Sequence, residues 1–298
     1  MKTLVQISFG GNDVSGGARA ILDPAGCGPD VAVVDDVPAL RKIFVDVTLE
    51  VDDSRLTKLV QALAEQKVRF WERRWDVYTN AELEAARLLA VWYFSPEGSI
   101  FAGPRVGTTY DMSDACKHCG AGARQTSAQV VDAKELHVLE GRRAAATCYN
   151  DMLVDEKLAA ALAESGATGL AFRGVLAAFE QRGHFQLPWR QMCATHTLPP
   201  MSPRSSGVEP YTPCVCGRSS FSMPEEVPLR LAYRSSDLVD IRDVNVTWEW
   251  FGDFHFEGDV SDALFPYPLF LVTPKIWRIF RDEGVTGFRW LPIHVVDE

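Results

Sequence analysis

The order of apolar and polar positions divides the chain into a strand-and-helix opening and a later pair of matching segments. Leu4-Val5-Gln6-Ile7 reads as a short first strand. Ile43, Val45, Val47, Leu49 and Val51 alternate with polar residues and Phe44, the period of a half-buried strand. Asp53 or Ser54 then stands where a helix cap belongs, ahead of an apolar face at Leu56, Leu59, Val60 and Leu63. Thr79 with Glu82 three residues on forms a capping box, and the spacing predicts a second helix through Leu83, Ala86, Leu89 and Ala90. Pro96, Gly98 and the stretch from Gly103 to Gly107 break this pattern. An N-terminal α/β domain over 1–105 is therefore expected, with a second domain over 106–298.

The second domain carries an internal repeat. Leu153-Val154-Asp155-Glu156-Lys157-Leu158 leads through a helical pattern to Gly166-Ala167-Thr168-Gly169. Leu271-Val272-Thr273-Pro274-Lys275-Ile276 leads through an equally long one to Gly284-Val285-Thr286-Gly287. The segments align without a gap at an offset of 118, with six identical positions in twenty. Asp155 or Thr273 can cap each helix, Pro274 suits a first helical turn, and Gly166 or Gly284 can end it. Two repeats are expected, at about 110–200 and 208–298.

The cysteines change the picture most. There are seven, an odd number, and no signal-peptide pattern precedes them, which disfavours a disulfide framework. Four form two close pairs, each followed by glycine: Cys116-Lys117-His118-Cys119-Gly120 and Cys214-Val215-Cys216-Gly217. Thiolates two residues apart can grip one metal ion while backbone amides point at the sulfurs, and two pairs make a closed structural site. Zinc bound by Cys116, Cys119, Cys214 and Cys216 is the expected cofactor. The second pair has one intervening residue rather than two, so Cys193, His118 and His196 are reserve ligands. A site decayed to free thiols and a redox pair are the alternatives. Since the pairs are 98 residues apart and each precedes one repeat, the ion would join the two halves. The expected fold is α+β: the N-terminal α/β unit, then a duplicated α/β half-domain pair joined by a zinc-ribbon-like four-cysteine site.

Charge narrows the partners. Thirty basic against forty acidic side chains give a net charge of −10, which repels phosphate backbones, and the basic residues are scattered. No apolar run reaches the roughly 18 residues needed to span a bilayer. A cytoplasmic protein that neither binds nucleic acid nor inserts in a membrane is expected. No G-x-x-x-x-G-K-[ST], G-x-S-x-G or H-E-x-x-H motif occurs. Between Arg242 and Lys275 lie six acids and no lysine or arginine: Asp243, Glu249, Asp253, Glu257, Asp259 and Asp262, interleaved with Trp248, Trp250, Phe251 and further rings. Rings that anchor and carboxylates that steer suit a protein interface, and a core hairpin with an acidic solvent face is the competing reading. Glu249, Asp253, Glu257, Asp259 and Asp262 are the candidate partner-binding residues.

The two cysteine turns, Trp248-Glu249-Trp250-Phe251-Gly252 and Val285-Thr286-Gly287-Phe288-Arg289 together resemble the myxobacterial double-CXXCG motif family, over roughly residues 110–295. Some members of that family are immunity proteins that neutralise a toxin delivered between kin cells. The resemblance implies a non-enzymatic role, with a cognate toxin as partner. A zinc-stabilised enzyme, a hydrolase or nucleotide-processing protein with its site between the N-terminal unit and the repeats, is the alternative.

Overall fold

The computed structural model describes residues 1–37, 41–93, 98–118, 120, 122–180, 182–217, 219–252 and 267–297. Helices and strands in several sheets make this an α+β fold. The chain forms two compact units, Met1–Thr79 with Pro224–Leu229, and Asn80–Met223 with Arg230–Glu298.

In the first unit, β1 (Lys2–Gly10), β2 (Ala32–Val37), β3 (Lys42–Glu50) and β4 (Phe70–Val77) form an antiparallel sheet in the order β2-β3-β1-β4. Alternation sends Val5, Ile7 and Phe9 of β1 and Val45, Val47 and Leu49 of β3 to one face. There they pack in one core with Ile21 and Leu22 of α1 (Arg19–Ala25) and Leu59 and Leu63 of α2 (Ser54–Glu65). Asp53 is the cap of α2, its carboxylate accepting from the Arg55 amide at 2.9 Å.

The second unit runs, in chain order, α3 (Asn80–Ala85), β5 (Leu89–Tyr93), β6 (Tyr110–Asp111), β7 (Arg124–Gln125), β8 (Gln129–Asp132), β9 (Ala144–Ala146) and β10 (Met152–Asp155). Next come α4 (Glu156–Glu164), β11 (Leu170–Phe179), β12 (Gly183–Ala194), β13 (Glu209–Pro213) and β14 (Ser219–Ser222). It ends with β15 (Ala232–Arg234), β16 (Val244–Val246), β17 (Trp250–Phe251), β18 (Phe270–Val272), α5 (Pro274–Asp282), β19 (Phe288–Pro292) and β20 (His294–Val296).

Two expectations need correction here. The helix predicted through Ala90 stops at Ala85, and Leu89–Tyr93 is a strand. Leu88, Leu89, Ala90 and Val91 are all buried, and β5 lies between two strands, so tertiary pairing overrides the helical spacing. Because β5 is central to a sheet of the second unit, the boundary falls after Thr79 and not near residue 105.

The repeat is present and larger than its sequence signature. Helices α4 and α5 match end to end at the offset of 118, as do the first residues of β10 and β18 and of β11 and β19. Gly166 and Gly284 each sit one residue past the helix C-cap at φ 65° and 69°. The caps differ: Asp155 accepts from the Leu158 amide at 2.6 Å, while Thr273 makes no such bond and Pro274 opens the helix. The first half forms a sheet in the order β8-β11-β12-β10-β9. In the second half β16-β18-β5-β19 follows the same plan, with β15 parallel to β20, the continuation of β19. The β11 bulge at Val175 corresponds to the break between β19 and β20 at Ile293.

Strands β5 and β12 are exchanged between the halves. In the first sheet Met192 of β12 pairs with Met152 and Phe172, and in the second Val91 of β5 pairs with Phe270 and Trp290, the same two positions shifted by 118. Counted from its central strand, one copy of this pattern runs from β5 to β11 and the other from β12 to β20. The copies thus begin near residues 89 and 183 rather than at the expected 110 and 208. Each half therefore supplies the other's central strand. Polar contacts repeat the crossing. Arg143 donates to the cap carboxylate of its own half, Asp155, at 2.8 Å and to Glu283 at the end of α5 at 2.6 Å. Asp243, preceding β16, accepts from the Thr273 hydroxyl at 2.9 Å and from the Thr168 amide beyond α4 at 2.8 Å. Burial pushes the Asp243 carboxyl up, but these bonds and the Lys275 ammonium outweigh it and hold its pKa below the ordinary value.

Leu153 and Leu271 are equivalent, fully buried central residues. Leu153→Ala and Leu271→Ala should each cost about 2–5 kcal/mol in urea unfolding of the intact chain. A surface-like loss at one position alone would contradict the equivalence of the halves.

Candidate metal centre

Each cysteine turn sits at the tip of a hairpin. The β6–β7 pair frames residues 112–123 and the β13–β14 pair frames residues 214–218. At both tips the glycine that follows the cysteine pair adopts positive φ, 65° at Gly120 and 81° at Gly217. Its amide donates back to the first cysteine's carbonyl, Gly120 to Cys116 at 2.8 Å and Gly217 to Cys214 at 2.9 Å. A residue with a Cβ is strained in that conformation, which accounts for glycine at both positions. The His118 amide points at the Cys116 sulfur, 3.4 Å away.

The two tips meet. The ligand atoms of Cys116, Cys214 and Cys216 all lie within 4.8 Å of one another, and this group could hold a metal ion. The Cys116 and Cys214 sulfurs are 3.6 Å apart, far beyond a disulfide bond of about 2.05 Å. Cys119 lies outside the described residues. Of the reserve ligands, Cys193, His118 and His196 do not join this group. The Cys193 thiol is pushed up to about 11 by burial, against the lowering influence of the Arg173 guanidinium 3.6 Å from its sulfur. At neutral pH it is a protonated thiol, a poor nucleophile.

Beneath the first hairpin lies a polar cluster that sequence reading missed. Gln125 on β7 and Gln191 on β12 form a reciprocal amide pair, both bonds 2.9 Å. Gln191 also donates to the Asp151 carboxylate at 3.1 Å, and the Thr147 hydroxyl donates to the same group at 3.0 Å. Part of the Asp151 residue reaches the surface, but its carboxyl group is enclosed. Desolvation raises its pKa to about 6 despite both donors. The same enclosure pushes the Tyr110 hydroxyl up. Only the polar run Thr147, Asn150 and Asp151 inside an apolar stretch could have signalled this cluster.

Only the ends of the acidic aromatic stretch, 243–252 and 267–274, are among the described residues. Asp253, Glu257, Asp259 and Asp262 lie outside the described residues. Glu249 is buried, 3% exposed, and accepts from the Met201 amide at 2.7 Å, while burial pushes its carboxyl pKa up. Phe251 is fully buried against Phe221, because β17 pairs in parallel with β14 directly behind the second cysteine turn. Asp243 is engaged inside the fold. Glu249 thus belongs to the interior.

No family model and no curated protein matches the chain.

Asp151 gives a pH test. Its folded pKa is raised, so its contribution is full below the unfolded value near 4 and is lost as pH rises through about 6. The loss amounts to about 2–3 kcal/mol for a fully enclosed carboxyl. Asp151→Asn keeps a carbonyl acceptor and should remove this component. Unfolding free energies of the two proteins should differ in slope between pH 4 and 6 and run parallel above it; equal slopes would refute the enclosed carboxyl.

Proposed function

We propose that this is a non-catalytic binding protein of the double-CXXCG kind, built around a structural zinc ion, that neutralises a cognate toxin. One observation carries the reading: sulfurs from two hairpin tips 98 residues apart converge on one point. A tetrahedral ion with metal–sulfur bonds of about 2.3 Å needs neighbouring sulfurs about 3.8 Å apart. The 3.6 Å separation of Cys116 and Cys214 fits that requirement. Cys116, Cys214 and Cys216 would hold the ion, with Cys119 as the fourth ligand. Such a four-sulfur site has no open position for substrate, so the ion's chemistry is cross-linking rather than Lewis-acid catalysis. The position also suits this role, since the first turn belongs to one half and the second to the other. The toxin-neutralising part of the reading rests on the motif resemblance and on a net charge suited to a basic partner.

Purified protein should contain one zinc per chain by elemental analysis, and a strong chelator should lower its unfolding midpoint. Cys214→Ser should lose the ion and destabilise the fold. A metal-free chain with unchanged stability would sink the zinc assignment.

For the toxin, the test is protection. Cells expressing the chain should survive the product of a neighbouring toxin gene, and the two proteins should co-purify. Survival that depends on an enzymatic turnover rather than on a stoichiometric complex would favour the enzyme reading instead.

A further inference from the structure

We infer that the open edge of β2, in the first unit, is a docking site for an extended segment of a partner protein whose side chains alternate apolar and basic. The two edges of the β2-β3-β1-β4 sheet are treated differently. Along β4, the Arg74 amide donates to the Glu225 carbonyl at 2.7 Å and Arg73 pairs with Glu225, so the 224–229 segment lies against that edge. Along β2, the described residues occupy the edge only at its start, where the Ala32 amide donates to the Gly28 carbonyl at 3.0 Å.

The register says which groups remain. The Val31 carbonyl accepts from the Thr48 amide at 2.9 Å, and the pairing runs without a bulge from Ala32↔Val47 to Val37↔Lys42. In an antiparallel ladder alternate residues point their backbone groups at the neighbouring strand. Val33 and Asp35 therefore face β3, and Val34 and Asp36 turn both N–H and C=O to the open side. Proteins ordinarily blunt such an edge with charged side chains, most often lysine, or with proline, a bulge or a covering segment. Residues 32–37 contain no proline or bulge, their only charges are the acidic Asp35 and Asp36, and Val33 and Val34 are 58% and 50% exposed.

Concavities flank the strand on both faces. On the helix side a groove of about 620 Å³ opens between α1 and β2, floored by Leu22, Cys27, Ala32 and Val34. On the other side a hollow of about 670 Å³ is bordered by Val33 and Thr48 and rimmed by Asp30, Glu50 and Asp52. A strand added to β2 continues the pleat, so its alternate side chains enter these two spaces. The first takes apolar groups. Around the second, Asp30 is paired with Arg55 and Glu50 with Lys2. On this face Asp35 and Asp52 are exposed and form no ion pair among the described residues, whereas Asp36 shares the helix-side face of Ala32 and Val34. Basic side chains on that face of the incoming strand meet this charge. Two copies of the chain, each at −10, repel one another, which favours a cationic partner over self-pairing. This surface lies in a different unit from the metal centre, and its occupancy is independent of zinc.

The test uses the full chain and a short capped peptide alternating valine with lysine, followed by amide NMR. Saturable shifts and hydrogen-exchange protection centred on the Val34 and Asp36 amides are expected. A peptide alternating valine with glutamate should bind at least about tenfold more weakly, a difference of about 1.4 kcal/mol. An N-methylated copy of the lysine peptide, which loses its donors without altering the protein, should lose the protection, and Val34→Pro should do the same from the other side. Binding with those two amides unmoved, equal binding by the N-methylated peptide, or no binding at millimolar concentration would overturn the site. Shifts of the same amides on raising the protein concentration alone, with a dimer in sedimentation, would overturn the choice of partner in favour of a second copy.

Discussion

The exchange of β5 and β12 governs the second unit. A central strand buries both faces, and its neighbours cannot satisfy their backbone groups without it. Leu89, Ala90 and Val91 complete the sheet of β18 and β19, and Met192 and its neighbours complete that of β10 and β11. Neither half has a closed core from its own residues in sequence order. What looks on the page like two tandem repeats is one interlocked body in which unfolding one half deprives the other of its middle strand. Such interlocking favours the cooperative, all-or-none unfolding that small single domains show.

The remaining links run across the same division. Arg143 joins Asp155 of one half to Glu283 of the other, and Asp243 joins Thr273 to Thr168. The two centres have opposite charge at corresponding places, so the duplicated geometry persists while its chemistry has been inverted. At the hairpin tips three thiols from both halves converge. Half-buried ion pairs of this kind contribute modestly, whereas a metal–thiolate cross-link contributes folding energy outright.

Much of this was legible in the residues. The Gly166 and Gly284 turns, the Asp53 cap and the two knuckles all act locally, through φ, a single hydrogen bond or a tight loop, and local chemistry is what a sequence displays. The exchange was not legible. Nothing in Leu89-Ala90-Val91 says which of two equivalent sheets it enters, and the capping box at Thr79 favours a helix until the pairing with Val272 and Pro292 is formed. Glu249 misled for the opposite reason. It stands in a stretch that is acidic overall, but its environment is set by Met201 and by strands that arrive from elsewhere.

The interlocked order also has a consequence in time. Translation delivers β5 well before either of its neighbours, since Tyr93 and Phe270 are separated by about 180 residues, roughly 10–40 s of synthesis. During that interval β10 and β11 emerge and need a central strand, and β5, the counterpart of β12, is already present. The nascent first half can close on its own strand, in a register related to the native one by the duplication itself. A first half that closed in this way before β12, which directly follows β11, took its place would mature only once β12 displaced β5 and released it to the second half. Changes that strengthen the early pairing, for example by making residues 89–93 more like 190–194, would trap the chain as two separate beads, each correctly folded by its own measure and neither native.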